Sequence, residues 1–130
     1  MQDYPSSSKH LLVAGTEDIL QLVLSTVLQE AGYKVTTAKD GIEALFTIET
    51  FNFTKRPFDL LILDYKLSKL SWQKLTEKLD KLSIATPVII IRNQKSGKSI
   101  NFITKRIIKY LETPFSKKEF MNTIRQMVAL

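Results

Sequence analysis

At 130 residues, 44% of them apolar, the chain is long enough for one soluble domain and too short for two. It has no cysteine and a single histidine, His10, which excludes disulfides, thiolate chemistry and a multi-histidine metal site within one chain. The formal charge of +6 is unevenly spread: residues 1–65 hold five Lys/Arg against nine Asp/Glu, and residues 66–130 hold fourteen against four.

Taken in chain order, residues 1–8 (MQDYPSSS) lack the apolar stretch of a signal peptide and read as a disordered tail. The domain proper is then 9–130. His10 to Ala14 reads as a buried strand ended by Gly15, with His10 at an exposed edge. Thr16, Glu17 and Asp18 open a helix, with Thr16 as cap and the two acids at the positive end of the dipole. Leu20, Val23, Leu24, Val27, Leu28 and Ala31 form its inner stripe, and Gly32 stops it.

Lys34 to Thr37 reads as a second strand. Asp40-Gly41-Ile42-Glu43 is a capping box that starts a second helix, to about Thr50. Asp59 to Asp64 (DLLILD) is a nearly unbroken apolar run, as expected of a strand covered on both faces. Trp72, Leu75, Leu79 and Leu82 mark the inner side of a third helix, and Trp72 reads as core packing. A fourth strand spans Val88 to Ile91, a short helix lies near Ser99 to Lys105, and a fifth strand spans Ile107 to Glu112. Ser116 to Glu119 is another capping box. Phe115 and Phe120 are placed as a hydrophobic staple for the last helix, which buries Phe120, Ile124, Met127 and Val128.

Strand and helix thus alternate five times, which predicts an α/β fold: one doubly wound, five-stranded parallel sheet flanked by five helices. In such sheets ligands bind beyond the carboxyl ends of the strands. That directs attention to Gly15–Asp18, Asp64–Leu67, Arg92–Lys95 and Glu112–Phe115. No apolar run is long enough to span a bilayer, so a cytoplasmic location is expected.

Six pieces in order carry a resemblance. They are LLV in the first strand, AGYKV at 31–35, DGIEAL at 40–45, DLLILD at 59–64, PVIII at 87–91 and YLETPF at 110–115. Together they resemble the receiver domain of bacterial two-component response regulators, over nearly the whole of His10 to Leu130. The resemblance implies the flavodoxin-like strand order 2-1-3-4-5, a cis peptide before Pro114, and an aspartate that accepts a phosphoryl group. It also implies five site positions: two acids that help hold Mg²⁺, the acceptor, a Ser/Thr at the end of the fourth strand, and a lysine before the proline. Metal and lysine offset the charge of the incoming phosphate.

Carried onto this chain, the acceptor position is Asp64. The two acids fall on Gly15 and Thr16, the hydroxyl on Arg92 and the lysine on Thr113, so four of the five positions differ. Glu17 and Asp18 are expected to point away from the pocket. With one matched carboxylate, Mg²⁺ binding is expected to be weak or absent, and no other cofactor is implied. Arg92 should emerge beside Asp64, where it either neutralises it as a carboxylate–guanidinium pair or points into solvent.

The family's docking surface comprises the fourth helix, fifth strand and fifth helix. Here Lys95, Lys98, Lys105, Arg106, Lys109, Lys117 and Lys118 fall on it, opposed by Glu112 and Glu119. Such a face repels itself and favours an acidic protein: another signalling protein or an output domain, engaged by a monomer or weak dimer. The resulting expectation is a non-enzymatic, phosphorylation-independent pseudo-receiver. One alternative is a working phospho-receiver in a phosphorelay using Asp64. Another is a small basic nucleic-acid binder, for which no helix-turn-helix, zinc or RNA-binding signature is present.

Overall fold

The computed structural model describes residues 8–93 and 105–128. Five strands, β1 (His10–Ala14), β2 (Lys34–Ala38), β3 (Leu60–Asp64), β4 (Val88–Asn93) and β5 (Ile108–Thr113), form one parallel sheet in the order β2-β1-β3-β4-β5. The helices among the described residues are α1 (Asp18–Glu30), α2 (Gly41–Asn52), α3 (Trp72–Lys81) and α4 (Lys117–Met127). The further helix expected near Ser99–Lys105 lies, but for Lys105, outside the described residues, as does the expected tail up to residue 7.

Side chains alternate across each strand, so the sheet builds two cores. On one face Leu12, Leu61, Leu63, Val88 and Ile90 meet Ala44 and Ile48 of α2 and Trp72, Leu75 and Leu79 of α3. On the other, Leu11, Val13, Leu60, Ile62, Ile89 and Ile91 meet Leu24 and Leu28 of α1 and Phe120 and Ile124 of α4. Leu60 to Leu63 belong to both cores in alternation, which is why DLLILD reads as continuous. Tyr33, fully buried, donates its hydroxyl to the Val128 carbonyl at 3.1 Å and ties the end of α4 to the α1–β2 turn.

Local chemistry fixes the helix ends. Asp40 accepts the Glu43 N–H at 2.8 Å, Ser71 that of Lys74 at 3.2 Å, and Ser116 that of Glu119 at 3.0 Å. Phe115 stacks on Phe120 with ring centroids 5.7 Å apart, completing the staple. Gly32 has φ +97°, the left-handed geometry that ends α1. Gly41 is required by crowding, because a Cβ there would collide with the Leu70 carbonyl. The Thr113–Pro114 peptide is cis.

Several expectations need correction. Thr16 does not cap α1: Glu17 is the N-cap residue and makes no side-chain cap bond. Val23 and Leu82, assigned to inner stripes, are about half exposed, because α1 turns its 24/28 edge inward and Leu82 lies past the end of α3. His10 is 1% exposed and not an edge residue. Its Nδ1–H donates to the Arg56 carbonyl at 2.8 Å and its Nε2 accepts from the Thr36 hydroxyl at 2.6 Å, while its ring packs against both Phe51 and Phe58. Arg106, assigned to the exposed basic face, has a side chain only 1% exposed. It donates to Asp80 Oδ1 and to the Ile84 and Thr86 carbonyls, each at 2.6 Å. Its charge ties the α3–β4 loop to the entry of β5 and is withdrawn from the surface.

Candidate functional site

Asp64 ends β3, and the chain turns sharply after it: the Leu67 N–H returns to the Asp64 carbonyl at 3.0 Å. Its side chain accepts the Lys66 N–H at 2.7 Å. The carboxylate faces a cavity of about 390 Å³ at the carboxyl ends of the strands, lined among others by Gly15, Glu17, Lys66, Arg92, Asn93 and Thr113. Burial holds the Asp64 carboxyl above its ordinary value, the nearby Glu17 adds to the rise, and the Lys66 N–H and charge oppose it.

Of the residues that sequence placed here, Gly15, Asp64, Arg92 and Thr113 do line one cavity. Thr16 is buried, and its hydroxyl finds no partner among the described residues. Glu17 was expected to point away; instead it enters the cavity, because as the N-cap residue it still belongs to the strand-to-helix turn and not to the helix surface. Lys66 lies in the loop Asp64–Leu67 that the strand-end rule singled out, but no role was assigned to it there. Its signal was its place two residues after an aspartate that ends a strand.

Arg92 neither pairs with Asp64 nor points into solvent, the two readings its position allowed. Arg92 Nη2 binds Glu112 Oε1 at 3.1 Å, and its guanidinium lies 4.2 Å from the Tyr110 ring centre. The register explains the choice. Arg92 stands directly opposite Glu112 on β5, with Tyr110 two residues back on the same face, whereas Asp64 is opposite Ile91. Tyr110 in turn meets Trp72 edge to face at 6.2 Å, so the clamp continues into the core. Thr113 turns its hydroxyl toward the Arg92 carbonyl at 3.5 Å, back along the sheet edge.

The donor set for a divalent cation is poor. Among the described residues, Asp64 and Glu17 are the carboxylates on the cavity, Lys66 and Arg92 share it, and no cluster of three metal-ligating side chains occurs. Nor is position 15 open to an acid. Gly15 has φ +81°, and a Cβ there would overlap Leu67 Cδ1, which is itself packed in the core. At the three positions where the resemblance implies carboxylates, the chain therefore supplies one, Asp64, with Gly15 and Thr16 at the other two.

A sequence model of the response regulator receiver domain matches residues 11–125. Among curated proteins, the alkaline phosphatase synthesis transcriptional regulatory protein PhoP of Bacillus subtilis is 30% identical over 114 residues, covering 86% of this chain and 45% of that protein. The chain spans about half the length of the curated relatives it matches. Among solved structures, a putative response regulator from Chloroflexus aurantiacus superposes with a TM-score of 0.78 at 27% identity, covering 95% of this chain and all of that one. The receiver domain of the Francisella response regulator 1452 gives 0.71 at 28%, covering 92% and 96%. The sheet order, the aspartate at the end of β3 and these matches agree, and the chain belongs to the response regulator receiver family, the signalling modules of two-component systems.

Proposed function

We propose that this receiver holds its signalling surface in one state without phosphoryl transfer, and that it docks an acidic protein surface through its β5–α4 edge. The observation that carries the proposal is the clamp of Arg92 on Glu112 and Tyr110. At the position where the family places a phosphate-contacting hydroxyl, this chain makes a contact between pocket and sheet edge from its own side chains. The contact does not depend on what happens at Asp64.

The edge itself is positive. Lys105, Lys109, Lys117, Lys118 and Arg125 are exposed there, while Lys95 and Lys98 lie outside the described residues. The opposing acids are already engaged: Glu112 with Arg92, and Glu119 with the Ser116 hydroxyl at 3.4 Å. Association through such an edge weakens as salt rises.

The test is NMR titration of labelled protein with Mg²⁺ and then beryllofluoride, a phosphoryl mimic, on wild type and Arg92→Ala. The expected result is no saturable shift at Asp64, Thr113 or the Trp72 indole in wild type at millimolar Mg²⁺. In Arg92→Ala, shifts should appear at Tyr110 and Glu112 without any ligand. Saturable wild-type shifts spreading from Asp64 to β5 would overturn the proposal. They would favour the second reading, acceptance of phosphate on Asp64, for which the proximity of Glu17 is the supporting observation.

A further inference from the structure

Two helices expose large apolar side chains that neither core uses. On α1 these are Ile19, Leu22 and Val23. On and just beyond α2 they are Ile42, Phe46 and Phe53, exposed to 56%, 73% and 89%. Ile42, Phe46, Glu49 and Phe53 follow at steps of four, three and four, so they form one straight stripe. The opposite side of the helix, through Ala44 and Ile48, is the one buried on the sheet. Ile42, Phe46 and Phe53 therefore face outward, with Glu49 partly buried between them.

Charge separates the two helices. α1 contains acids, Asp18 and Glu30, with Glu17 at its cap, and no Lys or Arg. A second α1 laid against it would bring like charges together. α2 carries Glu43 and Glu49, and it is bracketed by Lys39, which pairs with Glu43 at 3.9 Å, and by Lys55 beyond its end. Two antiparallel copies bring the Lys39–Glu43 pair of one helix beside the Lys55 end of the other, twice by symmetry and with opposed helix dipoles, so this contact sets both signs together where α1 sets only acids together.

We propose that the α2 stripe is a self-association surface, on which a second copy of this chain packs its own α2 antiparallel. The three exposed side chains offer roughly 400 Å² per copy, about the size of the largest patch on an ordinary monomer. Doubling this gives roughly 800 Å², and the flanking Leu45, Glu49 and Thr50 bring the contact toward the low end of specific interfaces, about 1,200 Å². The dimer is accordingly weak, forming at tens to hundreds of micromolar. It leaves the basic β5–α4 edge free.

Sedimentation velocity from 10 µM to about 1 mM tests this, on a scale where weak dimers dissociate and re-form. The mass should rise from 14.9 kDa toward twice that value as concentration increases. Phe46→Lys should weaken association at least tenfold, while far-UV circular dichroism and Trp72 emission stay unchanged because Phe46 lies outside both cores. Lys109→Glu, on the basic edge, should leave association as it is. A wild-type chain that stays at 14.9 kDa at 1 mM would overturn the proposal and leave the stripe to a different protein or to a further segment of a longer chain. A dimer unaffected by Phe46→Lys, or abolished by Lys109→Glu, would overturn it as well.

Discussion

Arg106→Ala discriminates most sharply between a cation counted as surface and one used as an internal tie. The wild-type side chain is 1% exposed and holds two loop carbonyls, of Ile84 and Thr86, besides Asp80. Leaving a buried carbonyl without its donor costs about 1–3 kcal/mol. Asp80 is 50% exposed and rehydrates when the guanidinium is gone, so its loss adds less than about 1 kcal/mol. Some water entering the vacated space offsets part of the carbonyl cost, which leaves a net loss of about 3 kcal/mol. Against a total of roughly 6–20 kcal/mol for a chain of this length, that is a large fraction, and it corresponds to a Tm lower by about 10 °C. Urea unfolding followed through Trp72, the sole tryptophan and fully buried, measures it directly. Asp80→Asn keeps an acceptor and should cost less than about 1 kcal/mol, and Arg106→Lys should recover only part of the loss because an ammonium lacks the planar fork. A loss below about 1 kcal/mol for Arg106→Ala would refute the tie. So would an Asp80→Asn variant as damaged as Arg106→Ala, since the carbonyls would then not carry the effect.

Gly15→Asp should destabilise the chain by about 1–3 kcal/mol through the left-handed backbone and the Leu67 overlap, and should confer no Mg²⁺-dependent rise in Tm. A clear millimolar Mg²⁺ effect in the single variant would show that position 15 was open after all. At His10, burial pulls the imidazole below its ordinary value of 6.5, with Lys34 and Arg56 adding to the drop and Asp59 and the Arg56 carbonyl opposing it. The unfolded chain therefore takes up the proton first, and the wild type should lose stability as pH falls below about 6.5; urea midpoints between pH 7.5 and 5 should show this slope reduced in His10→Gln. The sign reverses at Asp64, whose folded carboxyl is held high, so ionisation is penalised in the fold. Asp64→Asn should be more stable than wild type at pH 7, and the advantage should vanish once both states of the wild type are protonated, below about pH 3. An equal advantage at both pH values would point to packing and not to charge.

What was legible in the chain was what neighbouring residues decide among themselves. Leu60 to Leu63 declare a strand covered on both faces because each side chain enters one core or the other. Asp40 and Ser116 declare helix starts because their acceptors serve an N–H three residues on. The misplaced polar groups His10, Arg106 and Arg92 are ones whose fate is decided from far along the chain. His10 is satisfied by Thr36, 26 residues away, and by Arg56, 46 away. Arg106 reaches back 20 to 26 residues to Thr86, Ile84 and Asp80, and Arg92 reaches Glu112, 20 residues ahead, through strand register. Residue type assigns such groups to solvent by default, and only the paired partner overrules the default. A charged face counted from sequence must therefore be recounted after pairing. Arg106 leaves the basic edge, but Glu112 is spent on Arg92, so the positive field presented by Lys105, Lys109, Lys117 and Lys118 loses a cation and an opposing anion together. The sign of the edge survives the correction although its composition does not, which is why an acidic partner is still the one its charge selects.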